Sequence, residues 1–448
     1  MSYGKNVIYQ IGRLDKNIAN DINFKIEENL YAAPLSSFAL KKYFEDSNMR
    51  AEVILCYPVS LLFDSRVQGW DLEKEFKEKI GEIRERKADY FRDPLSWFRL
   101  HPHSAEAEDI LVLHSIGEYE GENFFTAFEV LVLEVFFHML ERYLAEPYSC
   151  LYLDISSGLN IYVSALVEAG RLFSTFYKLS NWKNPELGIY LVFSDPILGT
   201  PKKEYNMYRD YKIKTAVFFS APEKIRGEND FALAKSLAEN RREVKRKLQD
   251  LFSRAYLFFS AIQNNIPLAL YTFEPHSAEE IELGLKKILE LGWEEIRSDY
   301  QKNPHISKDI FIKGIFLLAL YKGIVATLEE FEIHPKKEVS LSEIKEKFCN
   351  SGGRSFYDVF GLFLNPTYLK HEVSNNFEKE CYRVKFLPEW RPLHDFLEGE
   401  SRDLHPRNFI AHCGFERNCV EVKKNDQDIF LRYKEVVIEK IKKILWNN

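Results

Sequence analysis

The chain has 448 residues, more than a single hydrophobic core normally serves, so two or three domains are expected. A net charge of -7 excludes a protein that coats nucleic acid through its total charge, but it leaves room for a local basic cleft. The six cysteines form no Cys-x-x-Cys pair. Scattered cysteines in a long chain indicate reduced thiols in a cytoplasmic protein, without a zinc site or a disulfide framework.

The first half of the chain predicts alternating strands and helices. Short apolar runs rich in branched and aromatic residues favour strands, and amphipathic runs between them favour helices. Strands are predicted at 6–12, 52–57, 109–114, 149–155, 187–194 and 214–220, and helices at 34–46, 71–89, 124–145 and 159–178. This alternation predicts an α/β Rossmann-like domain with a mostly parallel sheet, which ends near residue 222.

The second half predicts a mainly α region, because strand signals are sparse after residue 222. Helices are predicted at 228–265 (one or two), 277–298, 307–333, 341–348, 354–364 and 426–446. The most apolar stretch, 311–328, contains Lys313 and Lys322, which favours a buried core helix over a membrane span. Neither a signal peptide nor a membrane partner is expected.

Two strand ends of the first half carry residues suited to an anion. The fourth strand runs into a polar turn, DISSGLN from Asp154 to Asn160, and then into a helix, while the first strand ends in Gly12 and Arg13. Open α/β sheets bind ligands beyond the carboxyl ends of their strands. A Ser-Ser-Gly turn before a helix offers amide and hydroxyl donors to phosphate, although it can equally be a simple helix cap. No Gly-x-Gly triplet or P-loop lysine motif is present, which disfavours both common nucleotide loops.

A second group of candidate functional residues lies in the segment HPRNFIAHCG. Pro406 suits the first position of a helix and Gly414 suits its end, so a short helix is predicted. Asn408 and His412 share a face of that helix, whereas Arg407 lies roughly 140° around it from His412 and needs a second helix to complete a site. Histidine can act as general acid or base and arginine can bind phosphate, which suits RNA cleavage without metal. The plainer interpretation is a helix-end histidine beside a surface arginine.

The order of these two motifs resembles the CARF–HEPN ribonucleases that accompany type III CRISPR systems. The chain looks most like their Csx branch, whose sensor motif is often written DxTHG. The resemblance covers the whole chain as a domain order but only two short motifs at the level of sequence. It implies a CARF ligand-sensing domain over 1–222 and a HEPN ribonuclease domain within 223–448. Ser156 and Ser157 stand where the family has Thr and His, so the chain lacks the histidine of that motif.

The resemblance also implies ligands and roles. A cyclic oligoadenylate, expected to be cyclic tetraadenylate, would be the allosteric activator, and no metal or cofactor would be needed. Its implied ligand-binding residues are Gly12, Arg13, Ser156, Ser157, Gly158 and Asn160. Arg407, Asn408 and His412 would be the catalytic residues of an endoribonuclease that cuts single-stranded RNA.

The family implies a homodimer or higher homo-oligomer, with the ligand ring on the two-fold axis and one cutting site built from both HEPN domains. Two alternatives remain open. A transcription regulator with the same sensor domain would carry a small basic winged helix at its C-terminus. A non-catalytic scaffold would use Arg407 and His412 only as structural residues.

Overall fold

The computed structural model describes residues 5–14, 20–63, 67, 69–70, 72–182, 187–196, 203–220, 228–239, 241–349, 353–378, 387–396 and 403–447. The chain forms two compact units. The first spans Met1–Lys178, Asn184–Ala216 and Lys286–Phe311, and the second spans Leu179–Lys183, Val217–Leu285 and Ile312–Asn448. The predicted domain boundary at 222 lies outside the described residues and stays a prediction.

An eight-stranded sheet forms the centre of the first unit. The strands of the first half are β1 (Asn6–Ile11), β2 (Ile22–Ile26), β3 (Asn29–Ala33), β4 (Ala51–Pro58), β5 (Asp109–Leu113), β6 (Ile116–Tyr119), β7 (Glu122–Phe125), β8 (Cys150–Asp154), β9 (Gly188–Ser194) and β10 (Tyr205–Lys212). The sheet order is β3-β2-β10-β9-β8-β1-β4-β5, while β6 and β7 form a separate hairpin. The five strands from β9 to β5 are parallel. Every residue of β1 and β4 is buried, as expected for strands covered on both faces.

The helices of the first half fill the connections between these strands. They are α1 (Ser36–Asp46), α2 (Lys74–Glu82), α3 (Lys87–Arg92), α4 (Leu95–Phe98), α5 (Phe128–Ala145) and α6 (Asn160–Ser180). The single helix predicted at 71–89 is two helices, because the backbone at Arg86 leaves helical geometry with φ -116° and ψ 35°. The helix predicted at 124–145 begins later, since Phe124 and Phe125 pair within the β6–β7 hairpin.

Five of the six predicted strands are confirmed as β1, β4, β5, β8 and β9. The strand predicted at 214–220 is wrong, because those residues form no regular element and the last strand of the sheet is β10. β10 pairs antiparallel with β9. Its sequence lacks the apolar run of a buried strand, because only Tyr205 and Met207 of its eight residues are buried. The sequence analysis also missed the β2–β3 hairpin, in which fewer than half of the residues are buried.

Residues 286–311, from the second half of the sequence, pack within the first unit. Trp293 meets Phe137 of α5 edge-on with ring centroids 5.8 Å apart, and Tyr300 stacks on His114 at 4.7 Å. His114 is fully buried and its Nδ1 lies 2.6 Å from Glu134 Oε1 of α5. This distant segment therefore completes the core around α5 and the end of β5.

Most of the second half is helical, as predicted. Its helices are α7 (Glu228–Leu237), α8 (Arg242–Gln263), α9 (Pro267–Thr272), α10 (Ala278–Ile296), α11 (Lys308–Glu330), α12 (Leu341–Phe348), α13 (Asn365–Val373), α14 (Pro406–Ala411) and α15 (Ile438–Asn447). Its strands are β11 (Val339–Ser340), β12 (Leu387–Pro392), β13 (Val420–Lys424) and β14 (Ile429–Tyr433), which form an antiparallel sheet in the order β11-β14-β13-β12.

Two helix predictions in this half were wrong. The one at 426–446 covers β14 before α15 begins, because residues 429–433 alternate between buried and half-buried positions with the period of a strand. The one at 354–364 contains only the 3-10 turn Phe356–Phe360, which Gly361 ends with a φ of 71°. Among the residues that the structure describes, one helix, α11, is long and apolar enough to cross a membrane, but 67% of its most apolar window is buried inside the fold. This burial is typical of a core helix.

Candidate functional site

The carboxyl ends of β1 and β8 form a crevice at the edge of the large sheet. Gln10 of β1 lies opposite Asp154 of β8, so the residues that follow each strand leave the sheet side by side. β4 and β5 follow β1 on one side of the sheet, and β9 follows β8 on the other side. The strand order therefore reverses between β1 and β8. Open α/β sheets bind ligands at such a reversal. The structure thus brings Gly12 and Arg13, which follow β1, to the same edge of the sheet as residues 156–160, which follow β8.

A buried hydrogen-bond network joins both strand ends to the start of α1. Gln10 Nε2 donates to Ser36 Oγ at 2.9 Å, and Gln10 Oε1 accepts from Ser37 Oγ at 2.5 Å. Ser36 Oγ donates to Asp154 Oδ2 at 2.6 Å. All four side chains are buried. Because satisfied polar networks in a protein interior fix the elements they join, α1 begins at a defined position beside the crevice.

Asp154 holds the polar turn that follows β8. Its Oδ1 accepts a hydrogen bond from the backbone N–H of Ser156 at 2.9 Å. Burial raises the pKa of the Asp154 carboxyl above its ordinary value, although hydrogen bonds from Ser156 and Ser36 oppose the shift. The side chain is fully buried, so Asp154 shapes the turn from behind and does not face a ligand.

The residues after Ile155 differ in what they offer a ligand. Ser156 Oγ accepts from the backbone N–H of Ser194 at 3.1 Å. Ser157 Oγ is buried and has no hydrogen-bond partner among the residues that the structure describes. Gly158 and Asn160 are exposed where α6 begins. A Cβ at Gly158 would meet no atom within 4 Å, so packing does not require a glycine there.

Gly12 and Arg13 form the opposite wall. Gly12 donates its N–H to Cys56 O of β4 at 2.9 Å, and a side chain at Gly12 would collide with the ring of Tyr57. Arg13 is half-buried, and its Nη2 donates to Pro34 O at 3.0 Å. The positive charge of Arg13 is therefore held beside the first turn of α1.

The second candidate site lies on α14, the short helix predicted from HPRNFIAHCG. Pro406 occupies its first turn, and the helix stops where Cys413 and Gly414 adopt φ values of 51° and 77°. The N–H of Gly414 closes the end by donating to Phe409 O at 2.8 Å. Phe409 is buried against Tyr433 of β14, with ring centroids 6.0 Å apart. The helix is thus anchored on one side and exposes the other.

Replacing Gly414 with alanine is expected to lower the free energy of unfolding by about 1–3 kcal/mol, the usual cost of overpacking. A Cβ there would lie 2.5 Å from Ile266 Cγ2 and 2.7 Å from Tyr433 Oη, on a backbone with a positive φ. Thermal unfolding measures the loss. Gly353→Ala is the matched control, because a Cβ at Gly353 meets no atom within 4 Å. Equal unfolding temperatures for the two variants would contradict this account of the helix end.

The exposed side of α14 presents all three predicted catalytic residues. Arg407, Asn408 and His412 are exposed, and the backbone N–H of His412 donates to Asn408 O at 3.0 Å. Within the described ranges, the Arg407 guanidinium makes no hydrogen bond or ion pair. No described side-chain contact joins Arg407 to His412, in keeping with their predicted separation around the helix.

Glu372 of α13 is a site residue that the sequence analysis missed. Its Oε2 lies 3.1 Å from His412 Nδ1, and this hydrogen bond raises the pKa of His412 above its ordinary value, although partial burial opposes the shift. Glu372 lies forty residues before His412 and belongs to no motif, so only the fold reveals the pair. With Nδ1 engaged, Nε2 is the ring nitrogen left for chemistry.

Replacing Glu372 with glutamine is expected to lower the pKa of His412, because the neutral amide no longer stabilises the imidazolium. The limb of the pH–rate profile of RNA cleavage that belongs to His412 then moves to lower pH, and an NMR titration of the ring follows the same shift. Glu378→Gln is the matched control, since Glu378 pairs with Lys345 at 2.5 Å instead. A profile that shifts equally in both variants would show that Glu372 does not act on His412.

Cys413, next to His412, is not a competing nucleophile. Its Sγ accepts a hydrogen bond from Asn265 Nδ2 at 3.3 Å, and burial raises the pKa of its thiol to about 12. The thiol therefore stays protonated and unreactive at neutral pH. Among the described residues, no group of three or more His, Cys, Asp or Glu side chains is placed to hold a metal ion. The absence of a metal from the reaction stays a prediction.

Comparison with known proteins matches the two regions that contain the sites to two domains of one protein family. Residues 6–196 match the family model of the CARF domain of CRISPR system endoribonuclease Csx1, and residues 362–435 match that of its HEPN domain. The chain belongs to the Csx1 CARF–HEPN family. CRISPR system endoribonuclease Csx1 of Methanocaldococcus jannaschii is 24% identical over 295 residues, which span 60% of this chain and 58% of that protein. The similarity therefore covers less than two thirds of this relative's length.

Both candidate sites fall inside the ranges that match Csx1. The CARF range contains both crevice walls, and the HEPN range contains α14 together with Glu372. The resemblance stated from two short motifs is thus confirmed at the level of both domains, in the predicted order. The residues between 196 and 362 match neither domain and include most of the long helices of the second half.

Proposed function

We propose that the chain is a CRISPR-associated endoribonuclease that cuts single-stranded RNA without metal and is activated by a cyclic oligoadenylate. The observation that carries the proposal is the exposed side of α14, where Arg407 and Asn408 accompany a His412 held by Glu372 inside a HEPN-matched range. The Methanocaldococcus jannaschii relative is an endoribonuclease of a CRISPR system, which supports the same activity.

The proposed reaction is attack of a ribose 2′-hydroxyl on the neighbouring phosphorus. A neutral imidazole takes the proton of the 2′-hydroxyl while the O2′–P bond forms, and a protonated imidazole gives a proton to the 5′-oxygen as the P–O5′ bond breaks. The products are a 2′,3′-cyclic phosphate and a 5′-hydroxyl, so no water or metal enters the step. Arg407 would bind the phosphate and neutralise the charge that develops on it.

Two copies of α14 suit this reaction better than one. A single His412 cannot be base and acid in the same step, and its raised pKa favours the protonated, acidic form. A homodimer supplies a second imidazole and a second guanidinium, and it overcomes the separation of Arg407 and His412 around one helix. We therefore place the cutting site across two HEPN domains.

The proposed activator binds the crevice at the ends of β1 and β8, with cyclic tetraadenylate as the expected ring. The free hydroxyl of Ser157, the exposed start of α6 at Gly158 and Asn160, and the charge of Arg13 suit the phosphates of such a ring. Ser156 and Gly12 would shape the walls. Ligand binding would favour one arrangement of the dimer and so set the distance between the two α14 helices.

The remaining proposals follow from this function. An effector that acts on RNA without a membrane partner would work in the cytoplasm. The transcription-regulator alternative requires a winged helix at the C-terminus. It loses support because residues 362–435 match a HEPN domain instead. The scaffold alternative is addressed by removing His412, as described in the Discussion.

Excess EDTA is expected to leave RNA cleavage intact, because every proposed step uses only imidazole and guanidinium groups. The test measures cleavage of a labelled single-stranded RNA by the pure chain with cyclic tetraadenylate, with and without chelator. A magnesium-dependent nuclease in the same buffer is the control that chelation is complete. Strong inhibition that magnesium reverses would overturn the metal-free mechanism.

A further inference from the structure

A buried histidine from the connection between β4 and β5 lies directly beneath the Arg13 wall. His101 is 1% exposed, and its Nε2 lies 3.0 Å from the carbonyl oxygen of Arg13. Its Nδ1 lies 3.0 Å from Tyr57 Oη and 3.3 Å from the backbone nitrogen of His103. The imidazole therefore links one wall of the crevice to the end of β4.

These partners define one protonation state of the ring. The Arg13 carbonyl can only accept, so Nε2 of His101 carries the hydrogen and donates it. The backbone N–H of His103 can only donate, so Nδ1 keeps its lone pair. Burial also lowers the pKa of His101 well below its ordinary value, which agrees with a neutral ring. Both nitrogens are committed to the protein, so His101 can affect a ligand only through Arg13.

An aromatic layer fixes the position of this imidazole. Tyr57 packs on His101 with centroids 4.6 Å apart and stacks on Phe98 of α4 at 4.9 Å, while Phe76 of α2 meets His101 edge-on at 5.6 Å. All four rings are buried. Residues 72–105 therefore form part of the core beside the crevice.

The same layer supports the rest of that wall. The Tyr57 ring occupies the space where a side chain at Gly12 would lie, and His103 meets Phe38 of α1 edge-on at 6.2 Å. Arg13 is consequently held at two points, through its carbonyl by His101 and through its guanidinium by Pro34 O. Both ends of the arginine are thus hydrogen-bonded to buried residues.

We propose that His101 is a positioning residue of the crevice, whose Nε2–H fixes the Arg13 carbonyl and holds the Arg13 wall in binding geometry before an adenylate ring arrives. This inference rests on the proposed ligand-binding function of the crevice. A preorganised wall lowers the entropy cost of binding, so its loss weakens affinity. Residues 72–105 thereby become a determinant of how tightly the sensor binds.

The test compares two replacements of His101 in the full chain. His101→Gln can still donate to Arg13 and accept from Tyr57, so the affinity for cyclic tetraadenylate should fall by no more than about threefold. His101→Phe fills the same space without either hydrogen bond, and the affinity should fall at least about tenfold. Titration calorimetry gives the dissociation constants, and thermal unfolding reports the stability of each variant.

Phe91→Leu is the matched control for a purely structural loss. Phe91 is buried in α3 and stacks on Phe63 at 5.6 Å, so its replacement removes packing from the same segment without touching Arg13. The unfolding temperature should fall while the dissociation constant stays native. An affinity that falls equally in Phe91→Leu and His101→Phe would overturn the positioning role, and so would native affinity in His101→Phe.

Amide hydrogen exchange separates this inference from the proposed function. In the ligand-free chain, His101→Phe should accelerate exchange at residues 12–14, whereas Phe91→Leu should not. If the native chain bound none of cyclic tri-, tetra- and hexa-adenylate, the proposed ligand would be wrong, and faster exchange in His101→Phe alone would still support the role in fixing Arg13. Native exchange rates in His101→Phe would refute that role whatever the ligand result.

Discussion

Replacing His412 with alanine is expected to slow cleavage of single-stranded RNA by about 10²–10⁴-fold, the contribution of a positioned general acid or base. His412 directly follows α14, and its Nδ1 lies 3.1 Å from Glu372 Oε2. Its side chain is 51% exposed, so the loss of packing is small and the unfolding temperature should change little. Single-turnover cleavage by native and variant chains, both saturated with cyclic tetraadenylate, measures the effect.

His334→Ala is the matched control for this experiment. His334 is also an exposed histidine of the second unit, but it lies outside the HEPN-matched range. Its replacement should leave cleavage at the native rate. The His412 variant should still gain thermal stability from cyclic tetraadenylate, because the crevice is unaltered. RNA cleavage that survives intact in His412→Ala would remove α14 from the reaction and favour the scaffold alternative.

Saturating cyclic tetraadenylate is expected to raise the cleavage rate of the native chain by about 5–150-fold, the usual range of coupling between two sites. Binding alone should stabilise the fold, because ligand at 100 times its dissociation constant adds about 2.7 kcal/mol to the free energy of unfolding. Thermal unfolding with cyclic tri-, tetra- and hexa-adenylate identifies the preferred ring. Cleavage assays with the same three rings then show whether binding and activation agree.

Arg13→Ala is expected to weaken both responses, because Arg13 supplies the positive charge of the crevice. Arg84→Ala is its matched control. This control also removes one arginine charge from the first unit. The Arg84 side chain is 63% exposed and lies 3.5 Å from Glu120. Equal cleavage rates with and without ligand, at saturating RNA, would contradict the proposed coupling between crevice and cutting site.

The sequence predicted the five parallel strands, in which no residue is exposed. β1 and β4 are buried at every residue, and such runs of branched and aromatic side chains are recognisable without a structure. β10 could not be predicted in the same way, because most of its side chains are exposed and its pairing with β9 depends on distant residues. The strands β13 and β14 are only five residues long, too short for a sequence pattern to distinguish them from part of an amphipathic helix.

The candidate sites show the same division. The residues that belong to local motifs, such as Ser157 after β8 and His412 after α14, were predicted because a turn or a helix end is encoded within a few neighbours. Glu372 and His101 were not, since each acts on a residue at least forty positions away. Only the assembled fold brings these pairs within hydrogen-bond distance.

The packing of residues 286–311 within the first unit has a consequence for synthesis. Phe137 of α5 and His114, which follows β5, are covered by residues that leave the ribosome long after them. Domains generally fold in order as the chain emerges, and an incomplete core exposes apolar surface that chaperones bind. The core of the nascent first unit therefore closes only after about residue 311 is released. A fragment cut at 222 would remain in that unfinished state, with the apolar side of α5 open to aggregation.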